Sequence, residues 1–479
     1  MNNNIKFPSI LLSIIIYFTL TSCIRTPKGE PGVVLPKTFN GSQDSSSIGF
    51  LERRQLFPDT NLLKLIDTAI YNNYALKAAN QRIYAAAAEL SFAKGRFLPV
   101  IAPEVSTRVD KYGTYTLNGV GNFDTNLSPN IKGDKKIPDP TPDLFFGLRT
   151  AWEIGFFGKF RNMRRAAGAR FLAYEKGRQW VVTTLVADIA TMYYDLLALD
   201  NELLTIRNNM ELQRTALEMI RIIKESARTN ELAVKQFEAQ LLNTKALESR
   251  KIQEIIEAEN KLNALLGRFP QSIPRGRPIR EQVFPSNIRE GIPSQMLLNR
   301  PDIFQSEQEL VAARADVKAA RASFFPSLTL GGYLGQNSFS ANTLLSPQSL
   351  AWGAVAGLTS PFFNQFTLRS NFRRVTAAQS IAFYNYQQSI VQGFQEVTGS
   401  LNGIKNYENV YLLKQQETDA LYQAVSVSKD LFSVGMASYL EVITAQKNVL
   451  QAELELSDAR KEQFISLINL YKALGGGWK

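Results

Sequence analysis

The chain has 479 residues, of which 45% are hydrophobic, with 54 Lys and Arg against 43 Asp and Glu for a net charge of +11. It has no His, which removes histidine acid–base chemistry and histidine metal ligands. No run approaches the ~18 apolar residues of a spanning helix, so any membrane crossing has to be a barrel, and the basic surplus, spread along helices without a nucleic-acid motif, reads as solvated helix faces.

The N-terminus has the layout of an export signal over residues 1–22. Lys6 gives the positive flank, Ile10 to Leu20 an apolar core too short to span, and Leu20-Thr21-Ser22-Cys23 a cleavage site. Cys23 is the only cysteine; such a residue can be a buried apolar filler or a free thiol. Placed after an apolar core, however, the sequence LTSC resembles a bacterial lipobox, which makes Cys23 the acylated first residue of the mature chain. Residues 23–60, rich in Pro, Gly and Ser in their first part, suit a tether between lipid and body.

A first repeat occupies residues 61–270. Leu76, Ile83, Leu90 and Phe97 recur every seven positions, with Ala79, Ala86 and Ala93 between them. This is the pattern of a helix packed lengthwise against close parallel neighbours. At Phe97-Leu98-Pro99 the period changes to alternation, and residues 99–157 read as two strands around a loop, Tyr112 to Asp143, rich in Gly, Asn, Asp and Pro. Ile101, Val105 and Val109 alternate with Glu104, Arg108 and Asp110; Leu144, Phe146, Leu148 and Trp152 alternate with Phe145, Gly147, Arg149 and Glu153. One apolar and one polar face fits a barrel with lipid outside and water inside, or an ordinary half-buried sheet. A basic cluster follows (Lys159, Arg161, Arg164, Arg165, Arg170), suited to lipid headgroups, to the inner wall of such a barrel at the membrane edge or simply to a soluble helix start. No proline occurs from there to Pro270, so long helices are expected, turning at Ala227-Arg228-Thr229-Asn230-Glu231-Leu232.

Residues 271–299 are a proline-rich connector, and residues 300–479 repeat the plan. Ile303, Leu310, Val317 and Phe324 match the first heptads at an offset of 227, and the strand pair 326–362 follows. A second offset of 208 aligns Val182, Ile189 and Leu196 with Ile390, Val397 and Ile404, and LNALLG at Leu262 with LYKALG at Leu470. The difference of 19 places extra length after the corner of the first copy. The chain is an internal duplication. A helix from Asn364 to Phe432 would run roughly 100 Å before a turn at Gly435-Met436-Ala437-Ser438-Tyr439-Leu440. Each copy thus ends in a helical hairpin whose tip lies far from the strands. Four strands cannot close an open-lumen barrel, and an open edge in lipid costs several kcal/mol per unpaired group, so the chain has to oligomerise.

RPDI at Arg300, FFPS at Phe324, WEIGFFGKFR at Trp152, SYLEVITAQ at Ser438 and LYKALGGGW at Leu470 resemble the outer-membrane factor family, the TolC-like exit ducts, and in particular its lipoprotein branch. The resemblance implies a mainly α protein with a membrane β-barrel: a homotrimer whose long coiled-coil helices form a periplasmic α-barrel and whose four strands per chain build a twelve-strand barrel. It implies an outer-membrane location with a lipid on Cys23, no other cofactor, and passive conduction for a periplasmic adaptor and an inner-membrane pump of the RND type. The adaptor would dock at the tips, at Ala227, Asn230, Leu232, Gly435, Ser438 and Leu440. Glu441 matches a position where relatives often carry an acidic residue at the periplasmic aperture; the alternative is a solvated glutamate past a helix turn. Ala233, its counterpart in copy one, is not acidic, and Phe432 stands where some relatives have a hydrogen-bonding Tyr, which puts a polar latch in doubt. Within ducts, type I protein secretion is the alternative to efflux; outside them, a non-conducting envelope lipoprotein would explain the heptads and Cys23 but not the strand pairs. No Walker-type loop is present, and Glu307 and Glu309 face different ways on their helix, so neither nucleotide use nor an enzyme is expected. Nothing in the sequence names the cargo.

Overall fold

The computed structural model describes residues 32–39, 46–285, 288–289, 291–360 and 364–478; the export signal and Cys23 lie outside the described residues. The Asp59 carboxylate accepts the Asn61 amide at 2.9 Å and caps α1 (Thr60–Asn72). Asn73 then ends α1 and caps α2 (Tyr74–Gly95), accepting from the Leu76 amide at 3.0 Å. The heptads do not register this break because it is made by a capping side chain, with neither Pro nor Gly at the joint.

Strands β1 (Val100–Asp110) and β2 (Thr141–Ile154) follow. The stretch between them is not all loop. It holds a helix, α3 (Leu117–Leu127), capped by the Thr116 hydroxyl, which the Gly and Asn content concealed. Next come α4 (Lys159–Glu225), 67 residues long, and α5 (Glu231–Leu265). In the connector, a turn at Ile279–Glu281 precedes the short α6 (Pro293–Asn299). Copy two is α7 (Pro301–Ala322), β3 (Ser327–Ser338), β4 (Leu350–Thr359), α8 (Gln365–Ser433) of 69 residues and α9 (Tyr439–Ala473). At ~1.5 Å per residue α4 and α8 each run roughly 100 Å.

The strands form one antiparallel sheet in the order β1-β2-β3-β4, so the hairpins of the two copies join through β2 and β3. The duplication holds residue by residue. Ile101 pairs with Thr150, and the offsets of 227 and 208 convert this to Leu328 with Leu358, which are also paired. Asn73 Nδ2 donates to the Leu265 carbonyl at 2.9 Å; at the same place in copy two Arg300 Nη1 donates to the Ala473 carbonyl at 3.1 Å. Gly267 and Gly475 both adopt left-handed φ, +66° and +82°. A Cβ on them would come within 2.8 Å of the Asn72 carbonyl oxygen and 2.6 Å of that of Asn299. The 19-residue difference lies wholly between the strands, since residues 111–140 face a counterpart of only 339–349.

The main core lies where the hairpins meet the connector and the C-terminus. Ile189, Tyr193, Leu196, Leu262, Ile303, Val397 and Leu470 are buried there, and Tyr194 stacks on Phe464 at 4.3 Å. Trp478 packs against this core, which sets the C-terminus beside the connector residues Ile273 and Ile279. Helix α4 touches α1, α2, α5, α7 and α9. This is why one of its 18-residue windows is apolar enough to span a membrane, contrary to the sequence reading; the window is 67% buried inside the protein and is core.

Arg300 is the largest fully buried side chain, with 1% exposure. Its guanidinium pairs with Asp302 at 2.7 Å and Glu396 at 2.6 Å and lies 5.1 Å from the Trp180 ring centre. Copy two thus clamps the start of α7, the middle of α8 and the end of α9 with one charged fork, where copy one uses an amide.

Candidate functional site

Alternation along each strand, combined with the register, sorts the sheet into two unlike faces. Ile101, Pro103 and Val105 line up with Phe146, Leu148 and Trp152, then with Leu330 and Leu334, then with Trp352, Ala356 and Leu358. No residue on this face is charged. Every charged residue of the strands (Glu104, Arg108, Asp110, Asp143, Arg149, Glu153) lies on the opposite face, and all six belong to copy one. There Arg149 pairs with Glu104 at 2.5 Å and sits over the rings of Phe145 and Tyr333, while Arg108 holds Asp110 at 3.0 Å and Asp143 at 3.3 Å. Gly147 opposes Gly335, and a Cβ on either would fall within 2.6 Å of the other's backbone, so only glycine permits this approach. Phe145 covers the pair from the polar side. A charge on a lipid-facing strand costs about 2–4 kcal/mol at mid-bilayer, so the apolar face is the one that tolerates lipid and the charged face the one that needs water. The outer sides of the edge strands, β1 and β4, have no partner among the described residues.

At the far end, both hairpins turn alike. The amide of Arg228 reaches the Ile223 carbonyl at 3.2 Å and that of Met436 reaches Leu431 at 2.9 Å, closing each long helix with the same left-handed cap. Gly435 takes φ +79° without penalty, but its counterpart Ala227 takes +57°, a conformation L side chains resist. Asn230 caps α5 through the Ala233 amide at 3.1 Å, and Ser438 caps α9. Behind the turns Leu217, Ile220, Phe237, Leu241 and Val442 form a second core, with Phe432 packed on it. Arg228 ties the tips together by donating to the Ser433 carbonyl at 3.1 Å.

The sequence profile of the outer membrane efflux proteins matches residues 65–268 and 292–476. The chain belongs to the outer membrane efflux protein family. It is 27% identical to the probable outer membrane lipoprotein SilC of Salmonella typhimurium, covering 98% of each chain. It is 28% identical to the solvent efflux pump outer membrane protein SrpC of Pseudomonas putida, over 91% of this chain and 90% of that one. Among solved structures, the open MtrE outer membrane channel of Neisseria gonorrhoeae superposes with a TM-score of 0.81 over 95% of this chain and 99% of that chain, at 24% identity. CusC superposes with a TM-score of 0.80 over 94% and 99%, also at 24%. As a member of this family the protein is an outer-membrane efflux channel, and the sheet is its membrane part.

The residues singled out at the hairpin tips play unequal parts. Leu232 and Leu440 project into solvent, 57% and 55% exposed, beside exposed Val434 and Met436. Asn230 and Ser438 are spent on capping, and Ala227 and Gly435 on the turn. Glu441 closes a capping box, one carboxylate oxygen accepting the Ser438 amide at 3.0 Å, and is otherwise exposed. Ala233 is fully buried under copy one's turn. Of the basic cluster, Lys159 is paired with Glu153 at 2.9 Å and Arg170 with Asp316, so these two are committed to structure.

Sequence reasoning missed the polar groups between the hairpins. Tyr422 donates to Glu453 at 2.5 Å, and Asn209 donates to the other oxygen at 3.3 Å. Burial, together with the Glu453 carboxylate, pushes the Tyr422 phenol up to about 12. Glu202, raised by burial, pairs with Lys251 at 2.7 Å. Glu202 and Asn209 interrupt the apolar face of α4, and that interruption was the available signal.

Proposed function

We propose that three copies assemble into a duct with a twelve-strand barrel in the outer membrane and a tube of helices roughly 100 Å long below it, anchored further by a lipid on Cys23. It conducts passively, taking cargo from a periplasmic adaptor and an inner-membrane pump of the RND type. The observation that carries this reading is the sheet: one uncharged apolar face, one charged face and two open edges, set at the end of helical hairpins roughly 100 Å long. The exposed Leu232, Val434, Met436 and Leu440 give the tips an apolar surface for an adaptor. Lipidation rests on the lipobox-like LTSC and on likeness to SilC, a probable lipoprotein.

Cargo does not follow from kinship. Relatives of nearly equal identity are named for cations and for solvents, CusC at 27% and SrpC at 28%. Among the described residues no group of three or more His, Cys, Asp or Glu is placed to hold a metal ion. The duct therefore takes what its pump delivers. Native mass spectrometry of protein extracted from outer membranes tests the assembly: a mass of three chains, each with acyl groups that vanish in Cys23→Ser, is expected. A monomer, or acylation that persists in Cys23→Ser, would overturn the corresponding part.

A further inference from the structure

The extra residues of copy one lie at the end of the sheet away from the long helices, and they carry α3. In copy two the same place holds only the turn Pro347–Ser349. By itself α3 is a poor helix, eleven residues long with two glycines. It is held from one side. Asn126 accepts from the Ile137 amide at 2.8 Å and donates to the Ile137 carbonyl at 2.9 Å, and Asn122 donates to the Thr141 hydroxyl at 3.2 Å. The other side is bare. Leu117, Val120, Phe123 and Leu127 fall within about 120° of arc at ~100° per residue. They are between 48% and 90% exposed, and α3 buries no side chain in its own subunit.

Thr141 decides where this stripe points. It pairs with Asp110 across β1 and β2, so its side chain stands on the charged face of the sheet. An anchor on that face sets α3 on the side that needs water, within the ring of strands. The stripe lies about 120° round the helix from the anchoring asparagines and is turned away from the wall. The dimensions agree. Twelve strands spaced ~4.8 Å and tilted ~40° enclose a barrel of about 12 Å radius. Three helices, each about 10–12 Å across and about 9 Å apart, make a bundle of about 11 Å radius. One α3 per chain is what such a mouth has room for.

We infer that the three α3 helices of a trimer meet on the threefold axis through Leu117, Val120, Phe123 and Leu127 and narrow the outer mouth to an apolar constriction. This rests on the oligomeric reading above and adds to it a second gate, at the end opposite the hairpin tips. The occupant of each stripe is the same stripe on the other two copies. An apolar ring of this kind gates by dewetting. Because α3 is tethered by two asparagines and buries nothing, it can swing aside for cargo without disturbing a core.

Introduced thiols test the contact, since Cys23 is the only native cysteine. Val120→Cys and Leu127→Cys, each alone, should give disulfide-linked dimers under mild oxidation in intact outer membranes, because each brings three thiols to the axis. Thr125→Cys, on the opposite side of α3, should give none. Ser106→Cys, on the charged face of β1, reads the closure. A bulky maleimide added outside the cells should label it several-fold faster once residues 111–140 are replaced by the sequence of 339–349. Trimers by native mass whose stripe cysteines stay unlinked, or whose Ser106→Cys thiol reacts as fast with α3 as without it, would overturn the constriction and leave the trimer standing. Quenching of Phe123→Trp fluorescence by brominated lipid would overturn it too, by making the outer leaflet the occupant. A wild-type protein without trimers would instead remove the assembly on which the constriction depends.

Discussion

Replacing Arg300 by Met keeps most of the volume and removes the most buried charge among the described residues. Three groups lose their donor at once: Asp302 at 2.7 Å, Glu396 at 2.6 Å and the Ala473 carbonyl at 3.1 Å. Breaking a buried ion pair by removing one partner costs about 3–5 kcal/mol. The side chains of Asp302 and Glu396 are 20% and 34% exposed, so water can recover part of their solvation and the low end applies to them. The orphaned carbonyl adds about 1–3 kcal/mol, and since the losses share one site they do not sum fully. A destabilisation of roughly 3–5 kcal/mol is expected. Trp180 beneath the guanidinium makes tryptophan fluorescence a local reporter in a urea titration of the detergent-solubilised protein. Arg300→Lys should fall between, keeping the charge but not the fork, and adding Glu396→Gln to Arg300→Met should cost less than the single losses combined. A midpoint for Arg300→Met equivalent to within about 0.5 kcal/mol of wild type would refute the clamp.

Ala227→Gly should stabilise the copy-one tip by about 1 kcal/mol, because it relieves a left-handed alanine, and Gly435→Ala should cost a similar amount; slower and faster amide exchange at the respective turns are the readouts. Ala313→Leu adds bulk to a buried face of α7 and should cost on the order of 1–3 kcal/mol, seen as earlier trimer dissociation on semi-native gels; an unchanged gel would show that packing on this face does not support the assembly. Tyr422 has a phenol pKa raised in the fold, so its contribution is complete below the unfolded value of 10 and fades as pH rises towards about 12. Tyr422→Phe should therefore flatten the stability loss across that window, and an identical alkaline profile would count against the Glu453 bond. Glu441→Gln should lower cation preference and multivalent block in single-channel recordings with trimers intact; wild-type selectivity would put the aperture elsewhere.

The large features were legible because they rest on periodicity. Heptads located α2 and α7, alternation located the strands, and the difference between two offsets foretold the longer segment between β1 and β2. What escaped detection depends on single side chains acting at a distance. Nothing local to RPDI says that Arg300 is buried, since its partners Glu396 and Ala473 lie 96 and 173 residues away. The break at Asn73 is a cap made by one amide, and α3 sits in a stretch whose glycines read as loop. At the tips the turn residues were placed correctly. Glu441 also does local work the resemblance did not suggest, since it caps α9. The apolar window in α4 shows the converse limit, because composition alone does not separate a core helix from a membrane span.

The central claim is that this chain builds a water-filled path through the outer membrane. Purified protein added to one side of a planar lipid bilayer tests it most directly. The account predicts discrete, ohmic conductance steps from wild-type trimers, and loss of those steps when Leu330→Lys and Leu148→Lys charge the lipid face and block insertion. Correctly inserted trimers that pass no current at any applied voltage would contradict it, and would leave a structural envelope protein in its place.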